Sequence, residues 1–139
     1  MAIITEDYVS FEIAKLLKEK GFAEKCRTYY KVFPKDRIAA IYHSSEDRGV
    51  SEDDPNEILC PTLQMVMKWL RIEHNIHIEP HIVRTKCSYG YMPNYVNLKE
   101  LKQHFPFDEV DFSNTDKYVC MTYDKACEVT IKYCLENLI

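Results

Sequence analysis

The stretch from Pro61 to Asn75 restricts this chain more than any other. Pro61 suits a first helical position, because it has no N–H to leave unpaired and its φ is already helical. Thr62-Leu63-Gln64-Met65-Val66-Met67-Lys68-Trp69-Leu70-Arg71 then runs on without a breaker. Leu63, Val66, Met67 and Leu70 form one stripe, and Met65, Trp69 and Ile72 form a second beside it. A helix that is apolar over so much of its circumference has to be covered on more than one side. The sequence therefore predicts a central core helix over Pro61–His74, ended by Asn75 in the left-handed conformation. With 139 residues there is length for one such core, so residues 1–139 are expected to form a single domain. Hydrophobic residues at 46% against 29% charged fit a packed chain and argue against disorder.

Around that helix the periodicity alternates between helical and extended. Ser10 is a suitable N-cap for a helix to Lys20, with Ile13, Leu16 and Leu17 on one face. Gly21 sits where a Schellman ending wants a glycine, and Phe22 is placed to fold back on Leu17. Arg27–Phe33 reads as a short strand, and Arg37–His43 as a second strand or a turn of helix. Ser44–Asn56 is polar, acidic and turn-rich, and reads as an exposed loop, with Glu46–Asp54 its acidic part. Ile76–Arg84 alternates apolar and polar residues, as a half-buried strand does, with Pro80 marking an edge or a bulge. Tyr89–Met92 is its hairpin partner. A short polar helix is expected at Leu98–His104, and a last strand at Lys117–Met121. Thr122 then caps a final helix to Leu138, whose seam is Cys127, Ile131, Cys134 and Leu138, widened by Ala126, Thr130 and Leu135. The fold class is α+β: a small, mainly antiparallel sheet with a central and a C-terminal helix packed on it.

Several activities are disfavoured. Only three glycines occur, Gly21, Gly49 and Gly90, so neither a GxGxxG nor a GxxxxGK[ST] phosphate loop can be written. HExxH and GxSxG are also missing from the sequence. A net charge of −4 speaks against a general nucleic-acid coat, which wants a basic face. No apolar run is long enough to span a bilayer. The start, Met1–Asp7, has neither the basic nor the apolar region of a secretory signal, so a cytoplasmic location without membrane attachment is expected. In that setting the six cysteines are expected as reduced, mostly buried thiols. There is no Cys-x-x-Cys, and Cys127 and Cys134 lie about 10 Å apart on a helix, beyond the reach of a disulfide.

Three groups carry possible chemistry. Tyrosine occurs ten times. Tyr29, Tyr30, Tyr89, Tyr91 and Tyr95 fall in strand or loop segments, where tyrosines serve as interface anchors, so they are the candidate binding residues. Such rings also stack on nucleic-acid bases, given a basic face, for which Lys15, Lys18, Lys68, Arg71 and Arg84 are the available cations. His77, Glu79 and His81 share one face of the expected strand, with His74 just before it. They are the metal-ligand candidates, although the spacing matches no standard ligand motif, and the plainer reading is the solvent face of an edge strand. Cys60 would cap the central helix, where a helix N-terminus lowers a thiol pKa; the plainer reading is a small, partly buried cap. No catalytic residue and no cofactor is assigned.

Three blocks resemble a family of small uncharacterised proteins of phages and prophages of gut Bacteroidales. Ser10–Phe22 is similar to that family's opening. Pro61-Thr62-Leu63-Gln64, Lys68-Trp69-Leu70-Arg71 and His74-Asn75-Ile76 are similar to its central block, and Tyr123–Glu128 to its closing Tyr-x-x-Ala motif. The blocks cover roughly a third of the chain, in the family's order. Lys31–Leu59 departs from it. The resemblance implies a mobile-element accessory protein and supplies no catalytic residues. The leading expectation is a non-enzymatic protein-binding module whose partner is a host or phage protein, or a second copy. A nucleic-acid-associated phage factor is one alternative, and a metal- or Cys-dependent enzyme is another.

Overall fold

A computed structural model of the chain describes residues 5–33, 35, 38–51 and 54–139. Those residues form an α+β protein of α-helices and small antiparallel sheets. They gather into two compact units, Met1–Thr62 and Leu63–Ile139. No described helix is long and apolar enough to cross a membrane.

In the first unit, helix α1 spans Phe11–Glu19. Ser10 caps it, its Oγ accepting the Ile13 N–H at 3.3 Å. The helix stops as its sequence predicts. Gly21 takes a φ of 86°, and the N–H groups of Gly21 and Phe22 donate to the carbonyls of Lys18 and Leu17. Both bonds of the Schellman motif are made, and Phe22 and Leu17 are buried together with Val9, Ile13 and Ala14. Strands β1 (Cys26–Phe33), β2 (Ile38–Arg48) and β3 (Glu57–Leu59) form an antiparallel sheet in the order β2-β1-β3. The Tyr30 ring meets Phe11 edge-on at 5.4 Å, and its hydroxyl donates to the Val9 carbonyl at 2.8 Å.

The stretch expected as a loop from Ser44 begins instead as strand, since β2 continues to Arg48. Its polar residues find cross-strand partners that a reading of the strand alone does not see. Arg27 pairs with Asp47 at 3.2 Å, and Arg48 pairs with Glu57 at 2.8 Å while lying over the Tyr29 ring. Of the expected acidic loop Glu46–Asp54, Glu52 and Asp53 lie outside the described residues, as does Arg37 at the expected start of the second strand.

In the second unit, α2 spans Leu63–His74 and Asn75 follows it with φ 56°, the left-handed ending expected of it. Leu63, Val66, Met67, Trp69 and Leu70 are buried, whereas Ile72 is exposed. The helix begins two residues later than Pro61 predicts. Cys60 and Pro61 are already committed to extended pairing: Cys60 N–H donates to the Thr28 carbonyl and Val9 N–H to the Pro61 carbonyl. Strands β4 (Ile76–Ile78), β7 (Tyr95–Asn97) and β8 (Lys102–His104) make one antiparallel sheet, ordered β4-β7-β8. Strands β5 (His81–Arg84) and β6 (Tyr89–Met92) make a separate hairpin. Helix α3 (Tyr123–Asn137) is capped by Thr122, whose Oγ1 accepts the Lys125 N–H at 3.3 Å. Ala126, Cys127, Thr130, Ile131, Cys134 and Leu135 are fully buried. Leu138 is exposed, so the seam closes on Leu135.

One sequence expectation is met with an interruption in this unit, and two fail. The strand read over Ile76–Arg84 is broken at Pro80, which has no N–H for a ladder, into β4 and β5, but its register is kept: Ile78 pairs with Tyr95, the Glu79 N–H donates to the Asn94 carbonyl, and His81 pairs with Met92. The helix read over Leu98–His104 is a turn followed by β8. Asn97 Oδ1 accepts the N–H groups of Lys99 and Glu100, Asn97 O accepts that of Leu101, and Leu101 takes φ 56°. Asn97 thus caps a single helical turn, and the left-handed Leu101 ends it before a helix can propagate. The strand read over Lys117–Met121 is a 3-10 helix, Thr115–Tyr118, and then a single bridge from Cys120 to Tyr91. The Tyr118 ring lies against Phe107 and its hydroxyl accepts the Asp111 N–H, which pins the segment in a tight turn.

Candidate docking surface

Tyr89 and Tyr91 lie two apart on β6 and so point to one face of the hairpin. Their rings meet edge to face at 6.1 Å, and Tyr91 meets Tyr123 in the same manner at 5.8 Å. Edge-to-face pairs of this kind hold each other in place. Cross-strand partners share a face, so Ile82, opposite Tyr91, and Arg84, opposite Tyr89, join them. Ile82 is 67% exposed and Tyr89 60% exposed. Met121, just beyond the bridge that ties Cys120 to Tyr91, is 90% exposed.

The opposite face of the hairpin is what holds this array still. Gly90 and Met92 are buried there. Tyr91 and Cys120 exchange two backbone hydrogen bonds of 2.8 Å each. Thr122, two residues on, caps α3, and Tyr123 opens that helix. The ring row is thus set by one hairpin and one helix start. Burial pushes the Tyr123 phenol above its ordinary pKa, followed by Cys127 and the charge of Glu79. It therefore presents a neutral hydroxyl at neutral pH.

The other tyrosines singled out in the sequence are used differently. Tyr95 is 7% exposed, stacked on His104 at 5.3 Å and close to Tyr133. It is a core ring, which takes it out of the surface set. Tyr30 is tied to Val9 and Phe11 on the α1 side of its sheet. Tyr29 stacks on Tyr42 at 5.7 Å beneath the Arg48 guanidinium. Tyr123 and Ile82 were missed by reading strands for tyrosine alone. The signal that finds them is β-register: Ile82 is the cross-strand partner of Tyr91, and the Cys120 bridge brings the start of α3 to β6.

The metal and thiol candidates do not assemble. His77 lies on β4 and His81 on β5, in different sheets, with Glu79 exposed between them. His81 Nε2 lies 2.8 Å from the Gln103 side-chain amide and 3.3 Å from that of Asn94. Among the described residues no three His, Cys, Asp or Glu side chains come together as a metal site. Cys60 is fully buried ahead of α2, not at its cap, and its thiol points to the Val9 carbonyl at 3.6 Å. Burial pushes it up to about 11, so it stays protonated and is no nucleophile near neutral pH. A small pocket in the first unit, lined by Leu17, Phe22, Arg48, Val50, Glu57 and Ile58, measures about 20 Å³. That is room for a water, not for a metabolite.

None of the six cysteines is bonded to another, and Cys87, in the turn between β5 and β6, is the exposed one. Burial raises the thiols of Cys26, Cys60, Cys120 and Cys134. A small aromatic disulfide reagent is expected to react fast with one thiol of the native chain, slowly with the half-buried Cys120, and with all six after denaturation. Cys87→Ser should remove the fast phase. Two fast equivalents in the native chain would contradict the burial of Cys26, Cys60, Cys127 and Cys134 and the partial burial of Cys120.

No model of a known family, no curated protein and no solved structure matches the chain.

Proposed function

We propose that the chain is a non-enzymatic protein-binding module that docks its partner on the Tyr89–Tyr91–Tyr123 surface. The observation that carries this reading is the mutually braced row of tyrosine rings with the exposed Ile82 on the same face. Tyrosines fixed by their neighbours lose little entropy on binding and combine apolar area with a hydroxyl, which is why they dominate protein interfaces. The resemblance to phage and prophage proteins makes a host or phage protein the partner class. Nucleic acid is the second choice, because many cations of the chain stand beside carboxylates: Arg27 with Asp47, Lys31 with Asp54, Arg48 with Glu57, Lys117 with Asp111, Lys132 with Glu136. With a net charge of −4 as well, the chain as a whole is a poor phosphate track.

The test is a pull-down from a lysate of gut Bacteroidales with tagged full-length protein, treated or not with nuclease, beside the double variant Ile82→Ser/Tyr89→Ser. Both residues are exposed, so the variant should fold. A captured protein that survives nuclease and falls by about tenfold or more with the variant supports the reading. Recovery equal with the variant removes the tyrosine surface from it, and recovery that vanishes with nuclease transfers the function to nucleic acid.

A further inference from the structure

The two edges of the β2-β1-β3 sheet are treated differently. At the β3 edge the Lys18 ammonium donates to the carbonyls of Pro55 at 3.1 Å and Glu57 at 3.5 Å, and α1 packs against β3. At the β2 edge no strand among the described residues pairs with the outer side. The direction of the free backbone groups follows from the ladder. Cys60 N–H donates to the Thr28 carbonyl and Val32 N–H to the Asn56 carbonyl, so Thr28, Tyr30 and Val32 turn their peptide groups toward β3. Tyr29 and Lys31 then turn theirs toward β2, where Tyr42 and Ala40 stand opposite. That leaves the N–H and C=O of Ala39, Ile41 and His43 aimed outward.

Protein sheets shield such an edge with lysine, proline, inward charge or a short strand. Between Ala39 and His43 there is no proline, lysine or carboxylate. Ile41 is 43% and Tyr42 40% exposed.

We infer that the β2 edge is an interface for a second copy of this chain, paired antiparallel about Ile41. The segment is complementary to itself in that register and in no need of another partner. Ile41 meets the partner's Ile41 across the two-fold axis. Ala39 lies opposite His43, and Ala40 lies opposite Tyr42, so each large side chain faces a small or neutral one and no like charges oppose. A two-fold pairing uses the β2 edge of both copies at once, and the β3 edge is closed by Lys18 and α1, so assembly ends at a dimer. This surface is separate from the tyrosine row, and either can fail without the other.

Sedimentation velocity on the full chain tests the pairing, with Ile41→Lys, Ile41→Glu and their equimolar mixture beside the wild type. Circular dichroism and the single fast thiol of Cys87 report that each variant is folded. The wild type is expected at twice the chain mass, and each variant alone as a monomer, its dissociation constant raised by at least about tenfold because like charges meet at the axis. The mixture should dimerise again, since lysine then faces glutamate. A wild type that stays monomeric through the micromolar range overturns the inference, even if the edge then accepts an added strand-forming peptide. An Ile41→Lys chain that still dimerises, or a mixture that does not, overturns the register centred on Ile41.

Discussion

Alanine at position 90 is expected to destabilise the Leu63–Ile139 unit by about 2–3 kcal/mol and to break up the tyrosine row. A Cβ on Gly90 would collide with Val119 Cγ1 and stand 2.8 Å from the Cys120 carbonyl oxygen. Val119 can turn its side chain away, but the Cys120 carbonyl is backbone, and it is the acceptor of the Tyr91 N–H. Making room for a methyl group means lengthening that bond and its reciprocal, Cys120 N–H to the Tyr91 carbonyl. The gain from restricting the unfolded chain, about 0.4–1 kcal/mol for glycine to alanine, is too small to reverse the sign. Urea unfolding should show a lower midpoint. The near-ultraviolet dichroism of the tyrosines should fall even where the variant is still folded, because Tyr123 is placed by the segment that the methyl group displaces. A midpoint equal to the wild type would mean that residues 119–120 do not lie against β6.

What the sequence showed and what it hid divide along a physical line. Elements fixed by neighbours in the chain were legible. Ser10 and Thr122 cap their helices, Gly21 and Asn75 take the left-handed conformation, and the stripe of Leu63, Val66, Met67 and Leu70 is buried. Each of these is decided within about one helical turn. Elements fixed by distant pairing were not. Nothing local says that Glu46, Asp47 and Arg48 are strand, because the partners that make them so are Arg27, Tyr29 and Glu57. The same holds for Lys102–His104, which pairs with Tyr95–Asn97 after a turn closed by Asn97. Half of the candidate surface was visible as tyrosines in a strand pattern. The other half, Ile82 and Tyr123, depends on β-register and on a single bridge at Cys120.

Stability should hold steady up to about pH 8 and then collapse on the alkaline side, well before the buried acids of the fold ionise. Burial pushes Cys60 up to about 11, Cys134 to about 12 and Tyr95 to about 12. For Tyr95 the charges of Cys134 and Tyr133 add to the effect. In the unfolded chain these groups release their protons near the ordinary values of 9.0 for the thiols and 10.0 for the phenol. Below pH 9 both states hold the protons and the full stability is present. Above it the unfolded state loses them first, and stability falls through the window from pH 9 to 11 for Cys60 and on toward 12 for Cys134, from 10 for Tyr95. Each group adds a slope approaching 1.4 kcal/mol per pH unit, about 1.36 by linkage. By pH 11 the three losses sum to about 6 kcal/mol, a large part of a total stability of about 5–15 kcal/mol. Denaturant unfolding at pH 8, 9, 10 and 10.5 measures the slope directly. Cys134→Ala should start lower at pH 8, from the cavity it leaves, and fall less steeply above pH 9. Equal steepness in both chains would mean that Cys134 ionises as freely in the fold as out of it, against its complete burial. The slope, and not the starting value, is therefore the observable that separates a buried thiol's proton from its packing.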